Sequence, residues 1–262
     1  MDYGLKDRLA IVTGSTSGIG RAIARTLLDE GARVVVNGRS QKTVDAALAE
    51  LDGGDRAIGV AADVGTAEGC ELLMSAANAA GDVDILINNA GIFEPKPFVD
   101  ISDEDWLRFY EINVMSGVRL SRAVCQGMTE RGWGRIVFIS SESGINIPVE
   151  MIQYGMTKSA QLSISRGLAK SLKATGVTVN SVLPGPTWSE GVEAFVEKMA
   201  GSNSVEETKK EFFTESRPSS LIQRFIKTNE VASMVAYVCS KQAAATTGAA
   251  LRCDGGIVDT CY

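Results

Sequence analysis

Short runs rich in Val, Ile and Ala alternate along the chain with longer stretches in which apolar residues return every third or fourth position. The short runs lie at residues 9–12, 33–37, 57–61, 85–88, 135–140, 177–182 and 249–253. They are apolar on both faces, as expected of parallel strands covered by helices on each side. The longer stretches predict helices over 18–30, 43–51, 66–80, 103–130, 151–175 and 229–239. In the first of these Ile19, Ile23 and Leu27 share one face, and Gly31 follows as a C-terminal stop. Seven strands joined by crossover helices predict an α/β fold, a doubly wound parallel sheet in three layers, α/β/α. No internal repeat or linker divides the chain, so residues 1–262 are expected to form a single domain.

One segment breaks the rhythm. Residues 184–225 form a polar, partly helical excursion that nevertheless carries Trp188, Phe195, Met199, Phe212, Phe213, Leu221 and Phe225. An ordinary connection is much shorter, so the part from about 186 to 225 reads as a helical lid over a substrate site.

Composition narrows the chemistry. With 45% hydrophobic and 22% charged residues the chain is an ordinary globular protein. Its formal net charge of -6 supplies no positive field for a phosphate backbone or an anionic lipid surface, so neither nucleic acid nor membrane is an expected partner. No secretory signal leads the sequence, and a cytoplasmic location is expected. Cys70, Cys125, Cys239, Cys253 and Cys261 are odd in number and form no CxxC pair, which suits a reducing compartment and suggests no metal site. Histidine is absent altogether, so a Ser-His-Asp triad and imidazole ligation are excluded. Any general acid or base must be Asp, Glu, Lys, Tyr or Cys.

The first strand runs straight into Thr13-Gly14-Ser15-Thr16-Ser17-Gly18-Ile19-Gly20 and then a helix. Glycines at such a junction permit the turn, let backbone approach a pyrophosphate and allow close helix packing, while the helix N-terminus presents free N–H groups and its positive dipole end. The position predicts a dinucleotide cradle of Rossmann type, with a Gly/Ser-rich turn that holds no ligand as the alternative; the spacing is GxxxGxG. In such sheets an acidic residue about twenty positions beyond the glycines commonly holds the ribose hydroxyls of NAD. Here the second strand ends in Asn37-Gly38-Arg39, where Arg39 offers a fork of donors suited to a 2'-phosphate. NADP(H) is therefore expected in preference to NAD(H).

Tyr154 and Lys158 fall a turn apart on one helical face. A free phenol, with a pKa near ~10, is a poor base at neutral pH, and an adjacent ammonium favours the phenolate. At ~4 Å and an effective dielectric of ~20 the attraction is about 4 kcal/mol, enough to bring a tyrosine into the working range.

Taken together, these residues resemble the short-chain dehydrogenases/reductases, in the branch of shorter single-domain chains. The resemblance runs from about Leu5 to Val258 and rests on Thr13-Gly14 to Gly20, Asp63-Val64, Asn88-Asn89-Ala90-Gly91, Asn113, Ser140-Ser141, Tyr154 with Lys158, Pro184-Gly185 and Asp254-Gly255-Gly256. It implies that Tyr154 is the acid/base at the substrate oxygen and that Ser141, rather than Ser140, hydrogen-bonds that oxygen. It further implies that Lys158 lowers the Tyr154 pKa and binds the nicotinamide ribose, while Asn113 holds a water in a proton relay to Lys158. Cofactor contacts are implied for Gly14, Ser15, Ser17, Gly18, Ile19, Gly20, Arg39, Asp63, Val64, Asn89, Ala90, Gly91, Pro184, Gly185 and Thr187. Ser17 stands where relatives preferring NADP(H) often carry a basic residue, which leaves NAD(H) open.

The implied reaction is hydride transfer between a nicotinamide cofactor and a carbonyl or secondary alcohol, with Phe93, Ile145, Ile147 and Met151 near the site's mouth. The family's 3-oxoacyl carrier-protein reductases and NAD-dependent sugar and polyol dehydrogenases are the alternatives, with a non-catalytic cofactor sensor a remoter one. By analogy the expected assembly is a homotetramer.

Overall fold

A computed structural model describes residues 2–200 and 204–261; the side chains of Phe195 and Met199, both counted in the lid, lie outside the described residues. Seven parallel strands, β1 (Leu9–Val12), β2 (Arg33–Gly38), β3 (Ala57–Ala61), β4 (Val83–Asn88), β5 (Gly134–Ile139), β6 (Val177–Pro184) and β9 (Ala250–Cys253), pair in the order β3-β2-β1-β4-β5-β6-β9. The order reverses between β1 and β4, so their C-terminal ends leave the crevice where doubly wound sheets bind ligands.

Helices α1 (Gly18–Asp29) and α9 (Thr228–Cys239) cover one face of the sheet. Ile23 and Leu27 of α1 join Val231 and Val235 of α9 over Val34 and Ile85, all fully buried. On the other face α3 (Ala67–Ala80), α5 (Ser116–Glu130) and α6 (Ile152–Ser171) pack over the sheet, with Leu73, Leu120 and Ile136 at the centre. Helix α2 (Gln41–Leu51) packs beside β2 and β3. Among the described residues no helix is long and apolar enough to cross a membrane.

Beyond shifts of a residue or two at element ends, three features differ from the expectation. The stretch 103–130 is not one regular helix. It comprises α4 (Asp103–Tyr110), a π turn over Glu111–Met115, and α5. The predicted helix over 151–175 stops at Ser171, because Ala174 and Gly176 take left-handed conformations with φ of 63° and 77°. Lastly, the two-residue strands β7 (Thr187–Trp188) and β8 (Ile226–Lys227) pair and tie together the ends of the long excursion. Two residues are too few for any hydrophobic period to reveal.

Between β7 and β8 lie α7 (Glu190–Ala200), α8 (Val205–Glu211) and a π turn over Phe212–Ser216. Phe225 stacks on Phe212 with ring centres 5.2 Å apart and meets Trp188 and Phe213 edge-on at 5.2 and 5.0 Å. The segment thus has an aromatic core of its own.

Candidate active site

The turn from β1 to α1 is held in shape by its neighbours. Thr13 Oγ1 accepts the N–H groups of Asn89 and Ala90, each at 2.9 Å. The Asn89 amide donates to the Thr13 and Gly14 carbonyls at 2.8 and 3.1 Å. Gly18 sits at φ +56°, and a Cβ on Gly20 would lie 2.4 Å from the Gly14 oxygen, so no larger residue fits there. Ser15 and Gly18 are the two predicted cofactor residues that line neither part of the groove at the strand ends, and for Ser15 the reason is plain. Its hydroxyl donates to the Val12 carbonyl at 2.6 Å and accepts the Asn37 N–H at 3.0 Å, which turns it into the sheet and away from the crevice.

Two adjoining cavities share Asn89, Gly91 and Ile92 and form one groove across the C-terminal ends of the strands. The smaller, about 190 Å³, is lined by Gly14, Arg39, Asp63, Val64, Ala90 and Gly91 among others. The larger, about 590 Å³, reaches from Ser17, Ile19 and Gly20 past Ser141, Tyr154 and Lys158 to Pro184, Gly185 and Thr187. Asp63 does not cap α3; that position belongs to Thr66.

The groove suits a dinucleotide on two structural grounds. Beside it, at the start of α1, the Gly18 N–H holds an oxygen anion, the Glu190 carboxylate, at 2.9 Å, as a helix N-terminus favours. At the shared wall, a Cβ on Gly91 would stand 3.3 Å from Asn113 Oδ1 and 3.7 Å from Lys158 Nζ, filling the space over the lysine.

Helix α6 buries mainly polar side chains, Gln153, Thr157, Lys158, Gln161 and Ser165, so its first half faces other polar groups instead of the apolar core. Tyr154 projects from its first turn into the larger cavity, edge-on to Phe93. Ser141 lines the same cavity, and its hydroxyl accepts the Ser143 N–H at 3.1 Å. The Ser140 hydroxyl donates to the Lys158 carbonyl at 2.9 Å. Lys158 Nζ lies 5.4 Å from the centre of the Tyr154 ring. It donates to the Ile139 carbonyl at 2.9 Å and to Gln161 Oε1 at 3.4 Å. Gln161 Nε2 in turn donates to the Asn113 carbonyl at 2.5 Å. The Asn113 side chain clamps the Ile92 backbone, accepting its N–H at 2.8 Å and donating to its carbonyl at 3.0 Å.

The electrostatics depart from the sequence expectation. Burial pushes the Tyr154 phenol up to about 12, a direction the nearby Glu142 carboxylate reinforces and the Ser141 hydrogen bond opposes. Burial likewise brings the Lys158 ammonium down to about 7. In this dry site desolvation therefore outweighs the attraction expected to lower the tyrosine.

Two of the four residues expected at the mouth, Phe93 and Met151, line the larger cavity. Ile145 and Ile147 do not: they follow a 3-10 turn over Glu142–Gly144 and are exposed at 40% and 47%. Ile147 also lies against the start of α6 at Gly155. The sequence motifs give no sign of three polar residues, two in the groove and one behind Lys158. Gln161 is three positions beyond Lys158 on the same helical face, a spacing that was available as a signal. Glu142 is a buried charge directly after Ser141, and Arg217 enters from the far end of the excursion.

Comparison with known proteins agrees with this geometry. Residues 8–200 match the family described as short chain dehydrogenase. The uncharacterised oxidoreductase YvrD of Bacillus subtilis is 46% identical over 260 residues, covering 98% of this chain and 99% of that one. The D-beta-hydroxybutyrate dehydrogenase of Cupriavidus necator is 34% identical over 260 residues, covering 97% and 99%. The crystal structure of L-sorbose reductase from Gluconobacter frateurii with NADPH and L-sorbose superposes with a TM-score of 0.94 at 31% identity, covering 99% of this chain and 100% of that one. With the doubly wound sheet, the glycine turn and the serine, tyrosine and lysine gathered at one groove, the chain belongs to the short-chain dehydrogenase/reductase family, oxidoreductases that act on CH–OH groups.

Proposed function

We propose that this protein interconverts a carbonyl compound and its secondary alcohol with NADP(H), using Tyr154 as the general acid/base. The observation that carries this reading is the meeting of Ser141, Tyr154 and Lys158 at the junction of a dinucleotide-shaped groove and a substrate-sized cavity. When bound, the nicotinamide supplies or accepts the hydride. Ser141 and Tyr154 hold the substrate oxygen, and Tyr154 gives it a proton during reduction. A phenol raised to about 12 is fully protonated at neutral pH, so it is ready as an acid. In oxidation it must first lose that proton, and the Lys158 ammonium is the neighbouring cation that favours the loss. Asn113 and Gln161 position Lys158, with the Gln161 amide spanning the distance to the Asn113 carbonyl.

Backbone at Gly14, Gly18, Ile19 and Gly20 would receive the pyrophosphate. Asp63, Val64, Asn89, Ala90 and Gly91 would line the adenosine end, with Pro184, Gly185 and Thr187 at the nicotinamide. Arg39, exposed at the outer end of the smaller cavity, would pair with a 2'-phosphate. The excursion between β7 and β8 would close over the substrate as a lid. Five free thiols suit the reducing cytoplasm, and Leu107 and Tyr110, exposed on α4, suit packing between subunits of a homotetramer.

The test is steady-state turnover of a panel of ketones, oxoacyl thioesters and alcohols with each cofactor. NADPH is expected to exceed NADH in kcat/KM by roughly tenfold or more, the weight of one charge-assisted hydrogen bond. Equal or better efficiency with NADH would refute the assignment of Arg39.

A further inference from the structure

The larger cavity is walled mostly by apolar side chains such as Phe93, Met151, Val192 and Phe212. Into this lining the protein brings two opposite charges that it leaves incompletely paired. Glu142 enters from the turn that leaves β5, and Arg217 enters from the end of the lid segment. Their side chains are only 6% and 12% exposed, respectively. Arg217 Nε lies 3.8 Å from Glu142 Oε1, close enough for attraction but too far for a hydrogen bond. The rest of the guanidinium is anchored elsewhere: Nη2 lies 3.2 Å from Glu150 Oε1, and Nη1 donates to the Ser216 carbonyl at 2.8 Å. Burial pushes the Glu142 carboxyl up, a direction that neighbouring Ser143 and the Arg217 cation oppose.

From this arrangement we infer that the substrate carries a hydroxyl on the carbon beside its carbonyl, received by Glu142 and Arg217; the inference rests on the catalytic reading given above. A buried carboxylate with unused lone pairs beside a guanidinium with an unused N–H calls for a group that donates and accepts at once, and a hydroxyl is the smallest such group. An alkyl group in its place would leave both charges without a hydrogen bond at a desolvated position, which is costly. A substrate carboxylate would add a third anion around a cation already shared by Glu142 and Glu150. Position follows from the lining: Ser141, Glu142, Tyr154 and Arg217 all face the one cavity, so the recognised group sits close to the reacting carbonyl. On reduction the carbonyl carbon gains the hydride and its oxygen gains the Tyr154 proton. The neighbouring hydroxyl is unchanged, and the product is a vicinal diol.

The experiment compares three compounds on the intact enzyme with NADPH: hydroxyacetone, butanone, in which a methyl replaces the hydroxyl, and pyruvate. Wild-type kcat/KM is expected to favour hydroxyacetone over butanone by about 10- to 100-fold, as a hydrogen bond to a charged group implies. In Glu142→Gln and in Arg217→Met that ratio is expected to shrink toward one, with NADPH binding by fluorescence confirming a folded groove. Equal efficiency with hydroxyacetone and butanone in the wild type would overturn the inference, as would a preference for pyruvate or a ratio unmoved by either substitution. If a variant fails to bind NADPH, the wild-type ratio alone decides. Failure to reduce any ketone of a broad panel would instead overturn the proposed function, and this inference with it.

Discussion

Lys158 is an ammonium whose described partners are a carbonyl and an amide, Ile139 and Gln161, with no carboxylate in hydrogen-bond range. Its proton is bound less tightly in the folded protein, at about 7, than in the unfolded chain, near 10.5. Between those values the unfolded chain holds the extra proton, so this group makes the cofactor-free protein more stable as pH rises across that window. Tyr154 acts oppositely and later: from 10 up to about 12 the folded protein keeps a proton that the unfolded chain has lost, and stability falls. Lys158→Met is therefore predicted to raise the melting temperature of the cofactor-free protein by several degrees at pH 6 and by clearly less at pH 9.5. Circular dichroism melts at both pH values read this directly. An equal gain at the two, or a loss at pH 6, would show that the buried charge is not what costs stability there. Which residues meet at this scale was legible in the sequence, since Ser141, Tyr154 and Lys158 line one cavity and Gln161 links Lys158 to Asn113. Their proton affinities were not, because sequence spacing carries the attraction between a cation and a phenol but not the dryness of the cleft.

Elements with a strong apolar period were read well, and those that owe their form to polar contacts were not. Helix α1 buries Ile23 and Leu27 as its pattern implies. The π turn at Glu111–Met115 passed unnoticed because an extra residue within a helix leaves the flanking periods almost intact. That wider turn carries Asn113, whose carbonyl meets Gln161 and whose side chain meets Ile92. The direction of the Ser15 hydroxyl is hidden for a related reason: a serine in a glycine-rich turn looks like a ligand donor, and its bonds to Val12 and Asn37 leave no sequence period. In the excursion, the abundance of large apolar residues did foretell a packed segment, and Phe225 lies at its centre against Trp188, Phe212 and Phe213. Phe225→Ala is predicted to remove roughly 2–4 kcal/mol of local packing, a partly exposed aromatic losing somewhat less than a fully buried one. Limited proteolysis between residues 190 and 216 would then quicken, while the sheet core stays protected. Unchanged proteolysis of that segment would mean that the aromatic cluster does not hold it closed.

Across the molecule, the doubly wound sheet explains why residues so far apart in sequence share one groove. The strand order reverses between β1 and β4, and the turns leaving β1, β4, β5 and β6 all open at that edge. The glycine turn, Asn89, Ser141 and Gly185 are each placed by the end of a strand, which is why strand prediction went far toward the site. The Arg217 contacts with Glu142 and Glu150 were beyond such reading, because they depend on how the excursion folds back onto the turns that precede α6. The claim on which the functional account turns is that the Tyr154 phenol delivers the proton. It is tested most directly by Tyr154→Phe, following reduction of a good ketone substrate by the loss of nicotinamide absorbance alongside NADPH binding by fluorescence. The account predicts turnover lower by at least about 10²-fold, the usual weight of a positioned acid, with NADPH bound as in the wild type. Near-normal turnover in that variant would contradict it.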